Sequence, residues 1–294
     1  MSTNYPFSLR IFVADGDPDG LRIVDRSNWT GKALMFPRAI FPRIKNRPEF
    51  SQTGVYLLLG SRNGSDGEQI YIGEGDPVKS RLEDHYLNKD FWNIAVFFIS
   101  TGTTPLNKAH VQFLESRLIT LANEAKRVSL ENKKQETEPN LSEADRAEMS
   151  VFLDHLLGMT PVLGINAFEQ PKPRKSDSEQ SVTLFVDAKG IKASGYESSQ
   201  GMTVLKGSAA VLKENPSAEK YAHAIVELRA ELKDRGVLVL NEKGDCLVFS
   251  QDYSFTSPSA ASGVILGGAT NGRIDWKDKQ GRTLKAIQKA SAKS

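Results

Sequence analysis

The stretch that most constrains the fold lies at residues 54–85, where two short apolar runs carry one tyrosine each. Residues 55–59 contain Tyr56, residues 70–72 contain Tyr71, and the link between the runs is rich in Gly, Ser, Asn and Asp. Runs of apolar and aromatic residues around a polar link predict a β-hairpin with a long loop.

A helix is predicted directly after this hairpin. Gly73 is followed by Asp76 and Pro77, which predicts a helix with the aspartate as its N-cap and the proline at its first position. Arg81 and His85 are four residues apart and should therefore share one face of that helix. Two phenols, a guanidinium and an imidazole would then form a polar cluster that core packing alone does not require.

The motifs of this stretch resemble those of the GIY-YIG nuclease family. GVY stands at 54–56 and YIG at 71–73, and Arg81 and His85 follow on the predicted helix. The resemblance covers about residues 50–135. The chain departs from the family pattern in its valine, where the first triplet has isoleucine, and in the long, Gly-rich link between the triplets.

The family's order of elements adds a third strand and a helix with a metal-binding glutamate. Residues 93–99 are an apolar strand candidate here, and residues 106–126 are a predicted helix that carries Glu115. Apolar residues at spacings of three and four form one arc of this helix, and Glu115 falls at its inner edge, where an unpaired carboxylate is costly. The helical pattern alone favours a structural ion pair with a residue such as Arg81, whereas the resemblance favours a metal ligand.

The resemblance implies a Mg²⁺-dependent endonuclease that hydrolyses phosphodiester bonds of DNA. Glu115 would hold one Mg²⁺ ion, or Mn²⁺ in its place, because hard carboxylate oxygens suit these cations. The family also places an asparagine near its site, and Asn132 fits that position better than Asn123. A bacterial role in DNA processing, restriction or defence is implied. The alternative is a catalytically dormant fold that acts as a nucleic-acid-binding protein or scaffold.

The resemblance also assigns roles to four further side chains. Arg81 would clamp a phosphate oxygen, a bidentate task for which a guanidinium is suited. Tyr56 would take a proton from the attacking water, provided that nearby cations lower the pKa of its phenol, and Tyr71 would orient the water or the phosphate. The roles of the two tyrosines could be exchanged, and His85 could itself be the general base.

Basic and aromatic residues alternate between residues 29 and 50. Such a segment could bind a phosphate backbone while its aromatic rings stack on bases. It could equally be a solvated basic loop whose aromatic side chains pack on the core. The basic candidates are Lys32, Arg38, Arg43, Lys45 and Arg47, and the aromatic ones are Trp29, Phe36, Phe41 and Phe50.

The residues before this arm predict a short β segment. Strands are expected at residues 7–13 and 21–25, joined by a turn at residues 15–20 that contains three aspartates. A turn is favoured over a calcium site because the later glutamate of an EF-hand loop is missing. Residues 1–50 would pack on a nuclease domain at residues 51–135.

Residues 136–168 predict a helical extension. Ser142 opens it as an N-cap, and an apolar stripe that follows should dock on a neighbouring element or form a dimer contact. The polar composition of residues 169–181 indicates a linker.

A separate α+β module is predicted at residues 182–288, for targeting or interaction with a partner protein. Residues 255–278 resemble part of a bacterial domain of unknown function that is often appended to GIY-YIG nucleases. Near its end, basic residues and Trp276 could contact phosphates, although a frayed lysine-rich terminus, with a basic tail at residues 289–294, explains them equally well. These basic residues are Lys277, Lys279, Arg282 and Lys285. The predicted strands are 182–186, 202–206, 237–240 and 247–250, and the predicted helices are 218–233 and one that begins at 257–258.

The fold class predicted for the whole chain is α+β, with a small sheet of about three strands flanked by helices, plus the C-terminal module. A hydrophobic content of 39% and a net charge of +2 over 294 residues are ordinary for a globular protein, so any surface that binds DNA must be local. The single cysteine, Cys246, excludes an internal disulfide and suits a reducing cytoplasm. The N-terminus lacks the apolar core of a signal peptide, and no apolar run approaches bilayer length, so we expect no membrane partner.

Overall fold

The structure is a computed structural model that describes residues 6–61, 68–132, 137–170 and 182–292. The chain divides into two compact units, Met1–Glu169 and Gln170–Ser294. Both mix helices with strands, which confirms the predicted α+β class. No helix in the described ranges is long and apolar enough to cross a membrane.

The first unit is built on one large sheet. Its strands are β1 (Leu9–Val13), β2 (Arg22–Arg26), β3 (Gly31–Pro37), β4 (Gly54–Ser61), β5 (Glu68–Gly75), β6 (Trp92–Ser100) and β7 (Ser129–Leu130). They lie in the order β1-β2-β3-β6-β4-β5-β7, and every pairing is antiparallel except that of β5 with β7. The predicted hairpin is β4 and β5, and the predicted third strand is β6. The expectation of about three strands was wrong because β1, β2 and β3 extend the same sheet beyond β6.

Strand β3 lies inside the segment that was predicted as a basic arm. Its residues 33–36 are buried, and it pairs with β6 along its whole length. Phe36, Phe41 and Phe50 are fully buried and lie within about 6 Å of one another. The stacking of these rings on bases was therefore a wrong prediction, and the alternative, packing on the core, is confirmed.

Helices cover both faces of this sheet. They are α1 (Phe41–Ile44), α2 (Val78–Asn88), α3 (Lys108–Ala125) and α4 (Glu143–Met159), with 3-10 turns at Arg38–Ile40, Pro48–Ser51 and Pro161–Leu163. One buried apolar cluster joins the sheet to α3 and α4, and a second joins its other face to α1 and α2. The central strands β4, β5 and β6 are therefore covered on both faces, and functional side chains on them must reach solvent at an edge of the sheet.

The ends of the helices test three of the predictions. Helix α2 begins at Val78 with Pro77 as its N-cap, so the prediction of Asp76 as N-cap was wrong. The carboxylate of Asp76 instead accepts a hydrogen bond of 2.6 Å from Thr53 Oγ1. The N-cap of α4 is Ser142, as predicted, and its apolar stripe is buried in the same cluster as α3.

The acidic segment between β1 and β2 is a turn, as predicted. Its backbone closes through Gly20 N, which donates to Asp17 O at 2.9 Å, and Asp17 Oδ1 accepts from the backbone of Asp19 at 3.0 Å. The loop between β4 and β5, at residues 62–67, and most of the predicted linker, at residues 171–181, lie outside the described residues.

The described residues of the second unit form two sheets and five helices. The strands are β8 (Leu184–Ala188), β9 (Ile191–Ser198), β10 (Gly201–Val204), β11 (Ala209–Val211), β12 (Leu238–Leu240), β13 (Cys246–Phe249) and β14 (Tyr253–Phe255). The helices are α5 (Ala218–Tyr221), α6 (His223–Asp234), α7 (Pro258–Leu266), α8 (Gly272–Asp275) and α9 (Leu284–Ser291). The strands lie in the orders β14-β10-β9-β8 and β11-β13-β12.

The elements of the second unit agree in part with the predictions. The predicted long helix at residues 218–233 is divided at Ala222, where the backbone leaves the helical region. Strands β9, β11 and β14 were not predicted, whereas the helix that starts after Ser257 was.

Trp276 belongs to the core of the second unit. Its ring is fully buried and its Nε1 donates to Pro258 O at 3.1 Å, so the prediction that it joins a phosphate-binding tail was wrong. The neighbouring Asp278 is also buried and accepts from the backbone and the Nε of Arg282, which fixes the turn before α9. The basic residues of this region therefore lie on an ordered turn and helix up to Ser291.

Candidate active site

The two tyrosines of the hairpin lie on the same face of the sheet. Tyr56 on β4 is paired opposite Gly73 on β5, and Tyr71 is paired opposite Leu58. Their ring centroids are 6.3 Å apart, and the ring planes are inclined to each other by 29°. Tyr56 is fully buried, whereas Tyr71 is half-buried at the edge of the site.

The close approach of Tyr56 explains the glycine of the YIG triplet. A Cβ atom added to Gly73 would lie 2.4 Å from the phenol oxygen of Tyr56, well inside van der Waals contact. Because the phenol is completely enclosed, it has no space to withdraw. The glycine of the second triplet is thus required by the tyrosine of the first.

Helix α2 brings Arg81 and His85 to Tyr56, as their predicted shared face requires. His85 Nε2 lies 2.8 Å from Tyr56 Oη, and Arg81 is hydrogen-bonded to the same phenol. A guanidinium can only donate, which leaves the phenolic proton for His85 Nε2. Tyr56 is therefore held between a permanent cation and an imidazole that can accept its proton.

Burial and charge set the protonation states of this group. Burial is the main cause that raises the pKa of Tyr56 above its usual value of 10; the charge of Tyr71 adds to it and Arg81 opposes it. Burial, together with the charges of Arg81 and Lys89, lowers the pKa of His85 from 6.5 to about 4. At neutral pH the phenol is therefore protonated and the imidazole is neutral.

Helix α3 contributes Glu115, which is only 8% exposed. This burial confirms the predicted inner-edge position of the carboxylate. Glu115 lines a cavity of about 680 Å³ together with Tyr71 from β5 and Arg81 from α2. The charge of Glu115 also contributes to the raised pKa of Tyr56. Three separate elements thus bring a phenol, a guanidinium and a carboxylate to one cavity.

Asn132 also lines the cavity, but its amide is bonded to the backbone. Its Nδ2 donates to Ile72 O at 2.7 Å and its Oδ1 accepts from Ile72 N at 2.9 Å. The side chain thus continues the pairing of β5 where β7 ends, and it positions the strand that carries Tyr71. The less favoured Asn123 is exposed near the end of α3.

Glu74 is a residue of this cavity that the sequence reasoning missed. One carboxylate oxygen, Oε1, forms an ion pair with Lys108 at the start of α3. The other oxygen, Oε2, is buried and has no hydrogen-bond partner in the structure. The signal in the sequence was an acidic residue directly after the YIG triplet, at the end of a strand.

The carboxylates of the cavity are compatible with a magnesium site. Within the described residues, no group of three or more histidine, cysteine, aspartate or glutamate side chains is arranged to hold a metal ion. Mg²⁺ does not require such a group, because it keeps several waters and is usually bound through one or two carboxylates. The unpartnered oxygen of Glu74 and the buried Glu115, which line the same cavity, fit this requirement.

The basic residues predicted to bind DNA fall into different surroundings. Arg38 donates to Tyr86 O at 2.8 Å, and Lys45 and Arg47 form ion pairs with Glu83 and Glu49. These three side chains therefore have contacts within the protein, and each remains partly exposed to solvent. Arg43 and the four candidates of the second unit are exposed, and Lys32 is half-buried.

Comparison with known proteins identifies the second unit only. Residues 184–288 match the family model for a domain of unknown function, DUF4357. This segment runs from β8 to α9 and coincides with the module expected at residues 182–288. No match to the GIY-YIG family was found for the chain. Comparisons with curated proteins and with solved structures also found no match. The nuclease resemblance of the first unit therefore rests on its residues and their geometry.

Proposed function

We propose that the first unit is a Mg²⁺-dependent endonuclease that hydrolyses phosphodiester bonds of DNA. The observation that supports this most is the meeting of Tyr71, Arg81 and Glu115 at one cavity, with Tyr56 and His85 packed behind them. Core packing does not require such a group, and each member has a task in phosphodiester hydrolysis. The presence of the buried Glu115 together with Arg81 and the two tyrosines argues against a dormant fold.

Glu115 is the first candidate to hold the cation. A divalent cation bound there would stabilise the charge that develops on the phosphate and on the leaving oxygen. The carboxylate is buried on a helix face made mostly of apolar side chains, where a cation lowers the cost of its charge.

Arg81 would hold the scissile phosphate. Although burial alone would lower the pKa of Arg81, the phenols of Tyr56 and Tyr71 outweigh it and raise that pKa, so the guanidinium remains charged. Its planar fork can donate two hydrogen bonds to phosphate oxygens while it stays attached to Tyr56. Tyr71, the phenol at the cavity wall, would orient the attacking water.

The Tyr56–His85 pair is the candidate proton acceptor. The water oxygen bonds to phosphorus as its proton moves to the acceptor, and the bond to the leaving oxygen breaks. His85 is neutral at pH 7 and can take up a proton, whereas Tyr56 alone holds its own proton too strongly to act as a phenolate. Transfer of the phenolic proton from Tyr56 to His85 is unfavourable in this structure, because the pKa of Tyr56 is raised above 10 and that of His85 is lowered to about 4. Arg81 opposes the rise in the pKa of Tyr56 and would stabilise a phenolate, so the phenol could act as the base only if nearby cations lowered its pKa further.

The second unit would direct the nuclease to its substrate. Exposed Lys277, Lys279, Arg282 and Lys285 lie on one ordered turn and the helix after it, where they could contact phosphates without reading bases. The resemblance to GIY-YIG nucleases also implies a role in bacterial DNA processing, restriction or defence, which we include in the proposal.

The substitution Glu115→Gln tests the proposal. It keeps the shape of the side chain and removes the charge that would hold the cation. Plasmid cleavage in Mg²⁺ should fall by orders of magnitude, while DNA binding persists. The melting temperature should stay the same or rise, because a costly buried charge is gone.

The matched control is Glu124→Gln, on the exposed side of the same helix, which should leave cleavage intact. If Glu115 only forms a structural ion pair, Glu115→Gln should instead lower the melting temperature markedly and leave cutting unchanged. That result would refute the assignment of Glu115 to the cation.

A further inference from the structure

The side chains of Glu74 and Tyr56 lie on opposite faces of the sheet. Glu74 is paired opposite Val55, whose side chain lies in the cluster under α3, whereas the neighbouring Gly73 is opposite Tyr56. Side chains alternate between faces along a strand, so Glu74 points toward α3. Its ion pair with Lys108, on the first turn of that helix, agrees with this direction. Glu115 lies two turns further along the same helix.

One of the two carboxylate oxygens of Glu74 lacks a hydrogen-bond donor. Its side chain is 13% exposed and its Oε2 atom is fully buried without a donor. A buried carboxylate oxygen that receives no hydrogen bond is costly. Lys108 compensates only Oε1, and more than half of the lysine side chain is exposed to solvent.

Two other carboxylates at the cavity, Glu131 and Glu138, differ from Glu74. Glu131 accepts a hydrogen bond from Gln69 and is paired with Lys89 at 3.6 Å. Glu138 is paired with Arg146. Both are thus held by donors of the protein, whereas one buried oxygen of Glu74 has no donor.

We propose that Glu74 is the second carboxylate of the divalent-cation site, where its Oε2 binds the cation alongside Glu115. The inference rests on the proposed function, because it concerns the cation of that nuclease site. Two carboxylates from β5 and α3, with the remaining positions taken by water and phosphate oxygen, give the oxygen-rich coordination that Mg²⁺ prefers. Glu74 would also tie the position of the cation to the strand that carries Tyr71.

Binding of Mn²⁺ to the full chain, without DNA, tests this inference. Free Mn²⁺ is counted from its electron paramagnetic resonance signal, which is lost when the ion binds. Glu74→Gln should weaken Mn²⁺ binding at least tenfold. Glu138→Gln, which removes the same charge from the same cavity, should bind Mn²⁺ as the unmodified chain does.

A second variant separates metal binding from the ion pair. Lys108→Met removes the partner of Oε1 and leaves both carboxylates in place, so Mn²⁺ affinity should be retained or increased. If Glu74→Gln does not fold, Glu74→Asp keeps the charge but withdraws the oxygen, and it should also weaken binding. Circular dichroism establishes that each variant is folded.

The inference is overturned if Glu74→Gln and Glu138→Gln bind Mn²⁺ equally, or if the unmodified chain binds none. The experiments distinguish a failure of the Glu74 assignment from a failure of the nuclease proposal. DNA cleavage with unchanged Mn²⁺ binding in Glu74→Gln would remove only the role of Glu74. Mn²⁺ binding that depends on Glu74, in a chain that cuts no DNA, would leave the cation site standing and refute the nuclease.

Discussion

The buried imidazole of His85 should make the stability of the protein depend on pH in a specific window. Its pKa is lowered from 6.5 to about 4, mainly by burial, while an unfolded histidine keeps the ordinary value. Between these two pH values the unfolded chain binds a proton that the folded chain does not. Stability is therefore complete above about pH 6.5 and decreases as the pH falls toward 4.

The size of the effect follows from the two pKa values. One pKa unit corresponds to about 1.4 kcal/mol. Acidification from pH 7.5 to pH 4.5 should therefore reduce the free energy of unfolding by about 2.5 kcal/mol through this residue. Carboxylates and other histidines titrate in the same range, so the prediction concerns the difference between two chains.

Urea unfolding of the unmodified chain and of His85→Gln measures this difference. The glutamine amide occupies the place of Nε2 and can still accept from Tyr56, but it does not titrate. The unmodified chain should lose about 2.5 kcal/mol more than the variant between the two pH values. The control His223→Gln alters a histidine whose side chain is 62% exposed and should behave as the unmodified chain does. Equal pH dependence of the unmodified chain and His85→Gln would refute the reasoning.

Two further predictions concern Tyr56 and its neighbours. Gly73→Ala places a methyl group 2.4 Å from the enclosed phenol, so it should destabilise the fold by about 1–3 kcal/mol in urea unfolding, and an unchanged transition would contradict the packing argument. Arg81→Lys keeps the charge but loses the planar fork, so plasmid cleavage should stay close to the low level of Arg81→Ala, and substantial rescue by lysine would show that only a point charge is needed.

The hairpin, the next helix and the helix of Glu115 could be predicted from sequence because each has a strong local pattern. Tyrosine-bearing apolar runs, a Pro near the helix start and an apolar arc of period 3.6 are properties of neighbouring residues. Their faces then followed from spacing alone, which is why Arg81 and His85 could be placed together.

The extent of the sheet could not be predicted in the same way. Strand β3 was not predicted, because its apolar run of residues 33–36 is short and lies among basic residues. Its partner strand β6 is also distant in sequence. Pairing between distant strands leaves no local signal, and short apolar runs are ambiguous. Phe41 and Phe50 lie outside β3, and their burial depends on contacts with Phe36 and with each other, so the sequence left both stacking on bases and packing on the core open.

Within the candidate site, the missed features depend on tertiary contacts. Glu74 matters because one of its oxygens is enclosed without a partner, and Asn132 because its amide pairs with the backbone of Ile72. Neither the enclosure of the Glu74 oxygen nor the bonding of the Asn132 amide can be predicted from residue type and spacing. The difference between a buried Tyr56 and a half-buried Tyr71 likewise depends on which strand lies at the edge of the cavity.

The measurement that tests the central claim most directly is the conversion of supercoiled plasmid to open-circular DNA. The full-length chain should nick the plasmid in Mg²⁺, should not do so in EDTA, and should lose the activity in Arg81→Ala while the exposed control Arg10→Ala retains it. Folded protein that leaves the plasmid intact in both Mg²⁺ and Mn²⁺, or nicking that persists equally in EDTA or in Arg81→Ala, would contradict the account.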